Sequence, residues 1–335
     1  MGGNFTNASC GWVNFAFTDV FLPTVYVIVL VFGLVANCFG LKSVLTNWTK
    51  LGSTNIFALN LCVADILYLL SLPFLVAYYS NSQKWIFGIV LCKITRFLFS
   101  INLYGSIGFL TCISVYRYLG IVHPLKVKGR IKKHYSIGIT ALVWVLVFIQ
   151  SLPDVYFDKT NPGEKKCFDT TKNTSAEGYL IYSITRTVTG FAIPLVIMVC
   201  CYGHVAVTLA TKKDCGDTML KLRCLKLVVI LAVLFSICFI PFHIFRNLNL
   251  QTRVWKMKHF CRSWYANIYI ANQISNGMAC LNSIINPLVY LFSSDEILMR
   301  CCRCVRIQSY PDFTKFTIVN SPRFRNASVK PPPTP

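Results

Sequence analysis

The sequence predicts an all-α membrane protein: a seven-transmembrane helix bundle with a short amphipathic eighth helix. Three observations predict it. The 335 residues are 55% hydrophobic and only 13% charged, a balance that a water-soluble globule of this length does not show. The apolar residues gather into seven runs, each near the ~20 residues that cross a bilayer. The basic residues concentrate in short connectors between those runs rather than along one amphipathic face.

The runs follow in order. The first, Val20 to Leu41, carries no charge. The second, Asn55 to Tyr79, encloses Asp65. The third, Cys92 to about Gly120, ends just past Arg117. The fourth lies near Ser136 to Leu152, the fifth near Tyr179 to Leu209, the sixth near Leu225 to Leu248 and the seventh near Tyr265 to Phe292. Residues 20–292 therefore form the bundle, behind an extracellular N-terminus of residues 1–19. Residues 293–306, which contain "DEILMRCCRCVR", read as the helix along the membrane surface. Cys301, Cys302 and Cys304 there are candidates for palmitoylation. Residues 307–335 end in "KPPPTP" and read as a disordered cytoplasmic tail.

Loop charge sets the direction of threading. The connector after the third run holds Lys126, Lys128, Arg130, Lys132 and Lys133 and no acid. The connector after the fifth holds Lys212, Lys213, Lys221, Arg223 and Lys226. Positive residues stay on the cytoplasmic side, so the N-terminus lies outside. The glycosylation sequons at Asn4, Asn7 and Asn173 then fall outside, while those at Asn47 and Asn326 fall inside and stay bare. The last outer connector breaks the pattern with Arg246, Arg253, Lys256, Lys258 and Arg262 and no acid. Either these cations snorkel to lipid, or they attract an anionic ligand. Cys10, Cys92, Cys167 and Cys261 share the oxidising outer side, an even number that suits disulfides.

Several function classes drop out. There is no phosphate loop, metal cluster or nucleophile elbow, so neither an enzyme nor an organic cofactor is expected. The net charge of +21 sits between membrane runs, which favours anionic lipid and an anionic partner over nucleic acid. Asp65 lies at membrane depth, either as a protonated, hydrogen-bonded acid or as part of a cation cluster. Pro194, Pro241 and Pro287 each remove a helical hydrogen bond and permit a kink.

Seven features, one per run and in order, carry a resemblance. They are "GLVAN" ending at Asn37, "LNLCVAD" ending at Asp65, and Cys92 with Arg117 at the two ends of the third run. Trp144, Pro194, "CFIP" at 238–241 and "NSIINPLVY" from Asn282 to Tyr290 complete the set. Together they resemble the rhodopsin-like G-protein-coupled receptors. The resemblance implies a plasma-membrane receptor coupled to heterotrimeric G proteins, with arrestin and receptor kinases as further partners. It implies disulfides Cys92–Cys167 and Cys10–Cys261. It implies a sodium-and-water cluster at Asp65, Ser106, Asn282, Ser283 and Asn286. Arg117 would receive the G protein, with Tyr202 and Tyr290 reaching toward it in the active state. Four positions depart from the pattern. Tyr116 stands in place of the acid before this arginine, and Lys221 where some relatives place an acid. Phe239 replaces the common tryptophan. Cys280 leaves no lysine for retinal.

The extracellular half narrows the likeness. "KWIFG" (84–88), "RFLFSINLYGSIGFLTCIS" (96–114), "CFDTT" (167–171), "IPFHIFRNLNL" (240–250) and "NQISNGMACLNS" (272–283) resemble the metabotropic purinergic nucleotide receptors, nearest the ADP-responsive branch. Receptors for small dicarboxylates such as succinate and 2-oxoglutarate share part of this pattern, and an orphan that signals without a ligand is the third possibility. The nucleotide reading assigns the phosphates to Arg96, Arg186 and Arg246. It assigns the purine to Phe99, Tyr104, Tyr269 and His243, with Asp169, Gln273 and Asn276 beside them. The opposing reading pairs each arginine with an acid such as Asp169. Asn276 stands where these receptors carry an arginine, so either Arg186 compensates or the anion differs. The resemblance also favours coupling to phospholipase C and calcium.

Overall fold

The computed structural model describes residues 16–46, 52–123, 133–161, 165–211 and 218–291. Span 1 is Ala16–Thr46, span 3 is Gly88–Val122, span 4 is Lys133–Ser151, span 6 is Thr218–Met257 and span 7 is Tyr265–Leu291. Span 2 comes in two pieces, Ser53–Leu69 and Leu72–Ser80, and span 5 in three, Ala176–Thr187, Val188–Ala192 and Ile193–Thr211. Six of these helical units are long and apolar enough to cross a membrane. Span 7 is more polar, but Asn272, Gln273, Ser275, Asn276, Asn282, Ser283 and Asn286 are all buried. Its polar stripe faces the bundle, which is where a bilayer permits one.

Spans 1 to 6 each begin before the boundary that hydropathy suggests, because a helix extends into the polar interface beyond its apolar run. Span 6 is the instructive case at its other end. It continues to Met257, so Arg246, Arg253 and Lys256 lie on a helix and not in a connector. Only Lys258 and Arg262 of that basic group remain in the turn before span 7.

Two interruptions have local causes. Span 2 breaks at Leu70–Ser71, where the Ser71 N–H and hydroxyl both donate to the Tyr68 carbonyl, at 2.8 and 2.7 Å. Pro73 follows within the next helix's first turn, where its missing N–H costs nothing. Span 5 passes through a π-turn at Val188–Ala192 just before Pro194, a widening that accommodates the proline's missing donor. Gly190 sits in this turn. A Cβ there would lie 2.5 Å from Gln150 Oε1 and 2.6 Å from a Tyr104 ring carbon.

Span 3 is the central helix and packs against spans 2, 4 and 5, while span 7 packs against spans 1 and 6. Polar tethers cross these interfaces. Trp144 Nε1 donates to Asn60 Oδ1 at 2.9 Å, joining span 4 to span 2. Asn37 Nδ2 donates to the Ser283 carbonyl at 2.9 Å, joining span 1 to span 7. The perimeter presents Val20, Phe32, Phe39, Ile149 and Val196 as exposed apolar side chains, as a lipid-facing surface does.

At one end a two-residue ribbon pairs Thr160–Asn161 with Lys166–Cys167, antiparallel, with Thr160 opposite Cys167. This ribbon is the one departure from helix among the described elements. Cys167 bonds to Cys92 at the start of span 3, Cα to Cα 5.8 Å, as the resemblance implies. We call this the disulfide end of the bundle and the other the Arg117 end. Cys261 is also disulfide-bonded; Cys10 lies outside the described residues. So do Asn4, Asn7, the expected helix at 293–306 with Cys301, Cys302 and Cys304, the tail 307–335, and the side chains of Lys221 and Tyr290.

Two stability outcomes follow from this packing. Gly190→Val drives a branched side chain into Tyr104 and Gln150, and overpacking of this kind costs ~1–3 kcal/mol. The purified protein should melt earlier than wild type, and an unchanged melting temperature would show that the π-turn yields freely. Cys92→Ser should cut surface expression sharply, since a native bridge contributes ~2–4 kcal/mol and this one anchors the ribbon. Surface biotinylation of expressing cells measures it.

Candidate functional site

The disulfide end buries an unusual amount of charge. Arg96, Phe99, Ser100 and Tyr104 recur at three- and four-residue steps along span 3, so one helical face presents them all. Arg96 Nη1 donates to Asp169 Oδ1 at 3.2 Å, and its Nη2 donates to the Cys167 carbonyl at 3.1 Å. Asp169 is delivered to this spot by the Cys92–Cys167 bridge two residues before it. Arg246 Nη1 of span 6 lies 3.8 Å from Asp169 Oδ2. Asn276 of span 7 donates to the same oxygen at 3.3 Å and to Gln273 Oε1 at 3.4 Å. One loop carboxylate thus meets spans 3, 6 and 7. Burial pushes the Asp169 carboxyl up, but Arg96, then Arg246 and Lys159, outweigh it and hold the group below the usual carboxylate range.

A second acid claims the third arginine. Asp154 is buried in the short helix Pro153–Tyr156 that follows span 4. It accepts hydrogen bonds from Lys159 Nζ at 3.0 Å, Ser100 Oγ at 2.6 Å and the Tyr179 hydroxyl at 2.7 Å, and from Arg186 Nη1. The Arg186 guanidinium lies over the rings of Tyr104 and Tyr182, 4.9 and 4.7 Å from their centroids, and donates to the Tyr182 hydroxyl at 2.9 Å. The three arginines therefore sit close together, but two share Asp169 and Arg186 belongs to Asp154. Sequence reasoning missed Asp154, Lys159 and Tyr179. The available signal was "LPDVYFDK", an acid and a lysine directly after an apolar run, where charge needs a reason.

The balance remains positive. Arg96, Lys159, Arg186 and Arg246 face Asp154 and Asp169, four cations against two carboxylates among the described residues. The Nε groups of Arg96, Arg186 and Arg246 have no hydrogen-bond partner among the described residues. Such an arrangement leaves part of each guanidinium's donor capacity unspent.

A cavity of about 630 Å³ opens beside Asp169. Tyr78 and Tyr79 of span 2, Arg253 and Lys256 of span 6, and Tyr269 and Gln273 of span 7 line it. Arg253 donates to Thr170 Oγ1 and to the Thr171 carbonyl, both at 2.6 Å, and to Asn173 Oδ1, so loop and helix form one wall. Of the expected ring-binding residues, Tyr269 reaches this cavity. Phe99 instead packs on Tyr68 and Phe242, with ring centroids 5.6 and 5.9 Å away. Tyr104 lies with Arg186. His243 stacks on Phe191 at 4.3 Å and lines a separate groove between spans 5 and 6.

Midway along the bundle, Asp65 is fully buried and accepts from Asn102 Nδ2 at 2.7 Å and from Asn286 Nδ2 at 3.1 and 2.9 Å. Asn286 also donates to Ser106 Oγ at 3.2 Å, and Ser283 Oγ to Asn102 Oδ1 at 3.4 Å. The structure thus adds Asn102 to the expected cluster, while Asn282 Nδ2 has no partner among the described residues. At the Arg117 end, Arg117 is buried near the close of span 3. The Tyr202 hydroxyl of span 5 bonds Ser114 Oγ, three residues before it.

The comparisons agree with this architecture. Residues 36–290 match the seven-transmembrane receptor model of the rhodopsin family. Purinoceptor 1 of Gallus gallus is 37% identical over 311 residues, 92% of this chain and 85% of the relative. Purinoceptor 1 of Homo sapiens is 36% identical over 300 residues, 89% of this chain and 80% of the relative. Purinoceptor 4 of Xenopus laevis is 35% identical over 299 residues, 88% of this chain but 55% of that longer protein. Identity at this level across nearly the whole chain, joined to the family match over residues 36–290, places the chain in the rhodopsin family of seven-transmembrane receptors.

Proposed function

We propose that the chain is a receptor for an extracellular nucleotide of the ADP type. As a member of its family it is a multi-pass plasma-membrane receptor that signals through heterotrimeric G proteins, not an enzyme. The observation that carries the ligand reading is the cavity beside Asp169. Its volume is within the ~300–1,000 Å³ of small-molecule sites. It offers Arg253 and Lys256 on the wall and Arg96 and Arg246 behind Asp169. Phosphates suit guanidinium donors, and Tyr269, Tyr78 and Tyr79 offer faces for a purine ring. The purinoceptor names of the relatives point the same way.

On this reading the disulfide end faces outward, which the loop charge of the sequence favours. Asn173 is exposed there and is a glycosylation site together with Asn4 and Asn7. Ligand binding would draw span 6 about its Pro241 kink and open the Arg117 end. Arg117, with Tyr202 and Tyr290, would meet a G protein linked to phospholipase C, then arrestin and receptor kinases. A sodium ion fits the central cluster, where the Asp65 carboxylate and the Ser106 and Ser283 hydroxyls are hard oxygen donors. Palmitate on Cys301, Cys302 and Cys304 would tie the following segment to the inner leaflet.

A second reading has its own observation. Arg186 is committed to Asp154 and Asn276 supplies no cation, so among the described residues Arg96 and Arg246 are the cations within 4 Å of the Asp169 carboxylate. A smaller dianion, a dicarboxylate, would need no more. A calcium-release screen with ADP, ATP, UDP, UTP, succinate and 2-oxoglutarate separates the two. A response to a dicarboxylate alone would replace the nucleotide.

Arg96→Ala and Arg246→Ala should each raise the agonist concentration for half-maximal response ten- to over a hundredfold, from loss of ~1.5–3 kcal/mol per charge-assisted contact. Arg186→Ala should act differently. It leaves Asp154 and Lys159 in a broken buried network, which costs ~3–5 kcal/mol, so surface expression should fall first. Normal expression with a selective loss of potency would instead make Arg186 a phosphate anchor. Arg117→Ala should abolish G-protein activation and leave agonist binding near wild type, as radioligand and nucleotide-exchange assays would report.

A further inference from the structure

Two acid-centred clusters lie at the disulfide end, and one side chain joins them. Tyr179, at the start of span 5, is fully buried. Its hydroxyl donates to Asp154 Oδ1 at 2.7 Å and accepts from Arg246 Nη2 at 2.9 Å. A phenol has one proton. With that proton spent on Asp154, only oxygen lone pairs are left to face Arg246, so the carboxylate fixes the hydroxyl as an acceptor. Asp154 is itself held by Lys159, Ser100 and Arg186. The Tyr179 ring is clamped edge-on by Phe157 and Tyr182, with centroids 5.1 and 5.4 Å away.

The consequence falls on Arg246. Its two terminal nitrogens are divided: Nη2 is held by Tyr179, and Nη1 turns to Asp169 across 3.8 Å. A guanidinium is planar, so fixing one nitrogen fixes the direction of the others. We propose that Tyr179, oriented by Asp154, is a positioning residue that presets the Arg246 guanidinium toward the anion site. The inference rests on the reading that an anion binds beside Asp169. It assigns a role to residues that neither touch the cavity nor carry the ligand's countercharge. It also gives a reason for span 3, span 5 and Lys159 to converge on one buried carboxylate, which span 6 reaches through Tyr179. Preset donors bind more tightly because less freedom is lost on binding.

A double-mutant cycle with Tyr179→Phe and Arg246→Ala tests it. Tyr179→Phe deletes one oxygen and keeps the ring packing and the Asp154–Lys159–Arg186 contacts. Two readouts are taken on surface-expressed or purified receptor: the ADP concentration for half-maximal G-protein activation, and the melting temperature without ligand. Tyr179→Phe alone should raise the ADP requirement about tenfold, and less than about twofold when Arg246 is already Ala. The ligand-free melting shifts should be non-additive in the same direction. A Tyr179→Phe receptor with wild-type ADP potency, or additive effects in the cycle, would overturn the proposal. So would coupling seen only in melting, since that describes packing and not positioning. If wild type ignores ADP, the nucleotide reading fails, and the cycle is run with whichever screened anion activates the receptor. If none does, the anion reading fails and the proposal fails with it, whereas an activating anion with additive effects removes the proposal alone.

Discussion

A bilayer core offers no hydrogen-bond partner, and this constraint organises the whole molecule. Each polar group at membrane depth must be answered from within the bundle. The structure answers them in layers. Asn37 bonds the Ser283 carbonyl, Asn60 receives Trp144, and Asp65 receives Asn102 and Asn286. Each bond crosses a helix interface, so the bonds that satisfy polar atoms also fix which helices are neighbours. Polar residues that look costly one at a time are what hold an otherwise uniformly apolar set of helices in one arrangement.

The same constraint explains the disulfide end. Four buried cations would be untenable together without acids, and Asp154 and Asp169 supply them. The acids differ in kind. Asp154 follows directly on span 4 and takes four donors, so its environment is closed. Asp169 lies on a loop, keeps 22% side-chain exposure and borders the cavity. The closed cluster lends rigidity, and the open one is where the proposed anion would compete for cations. Tyr179 ties the rigid cluster to the open one through a single hydroxyl.

Span 6 connects this chemistry to the far end. It carries Arg246 and Arg253 on one side of Pro241 and reaches toward the Arg117 end on the other. A proline removes one rung of the ladder and leaves a hinge. Span 5 has its own softened turn at Val188–Ala192, at nearly the same level. Spans 5 and 6 thus have matched weak points between a charge-rich end and the end where Arg117 is buried.

What the sequence determined by itself was the membrane frame: seven runs and the ordered marks from Asn37 to Tyr290. Those rest on local properties, hydropathy and residue spacing, which need no knowledge of partners. The Cys92–Cys167 pairing and the Asp65 cluster were legible only through resemblance. What tertiary structure alone decided was who pairs with whom. Arg96, Arg186 and Arg246 look equivalent as buried cations in a sequence, yet their partners come from Asp154 after span 4 and Asp169 in a loop. Arg253 and Lys256 read as connector charges because hydropathy falls before the helix ends. His243 and Phe99 read as ring-binding because an aromatic on a helix does not reveal which face it occupies. Electrostatic pairing depends on distances of a few ångströms between residues distant in the chain, and only the packed bundle sets those distances.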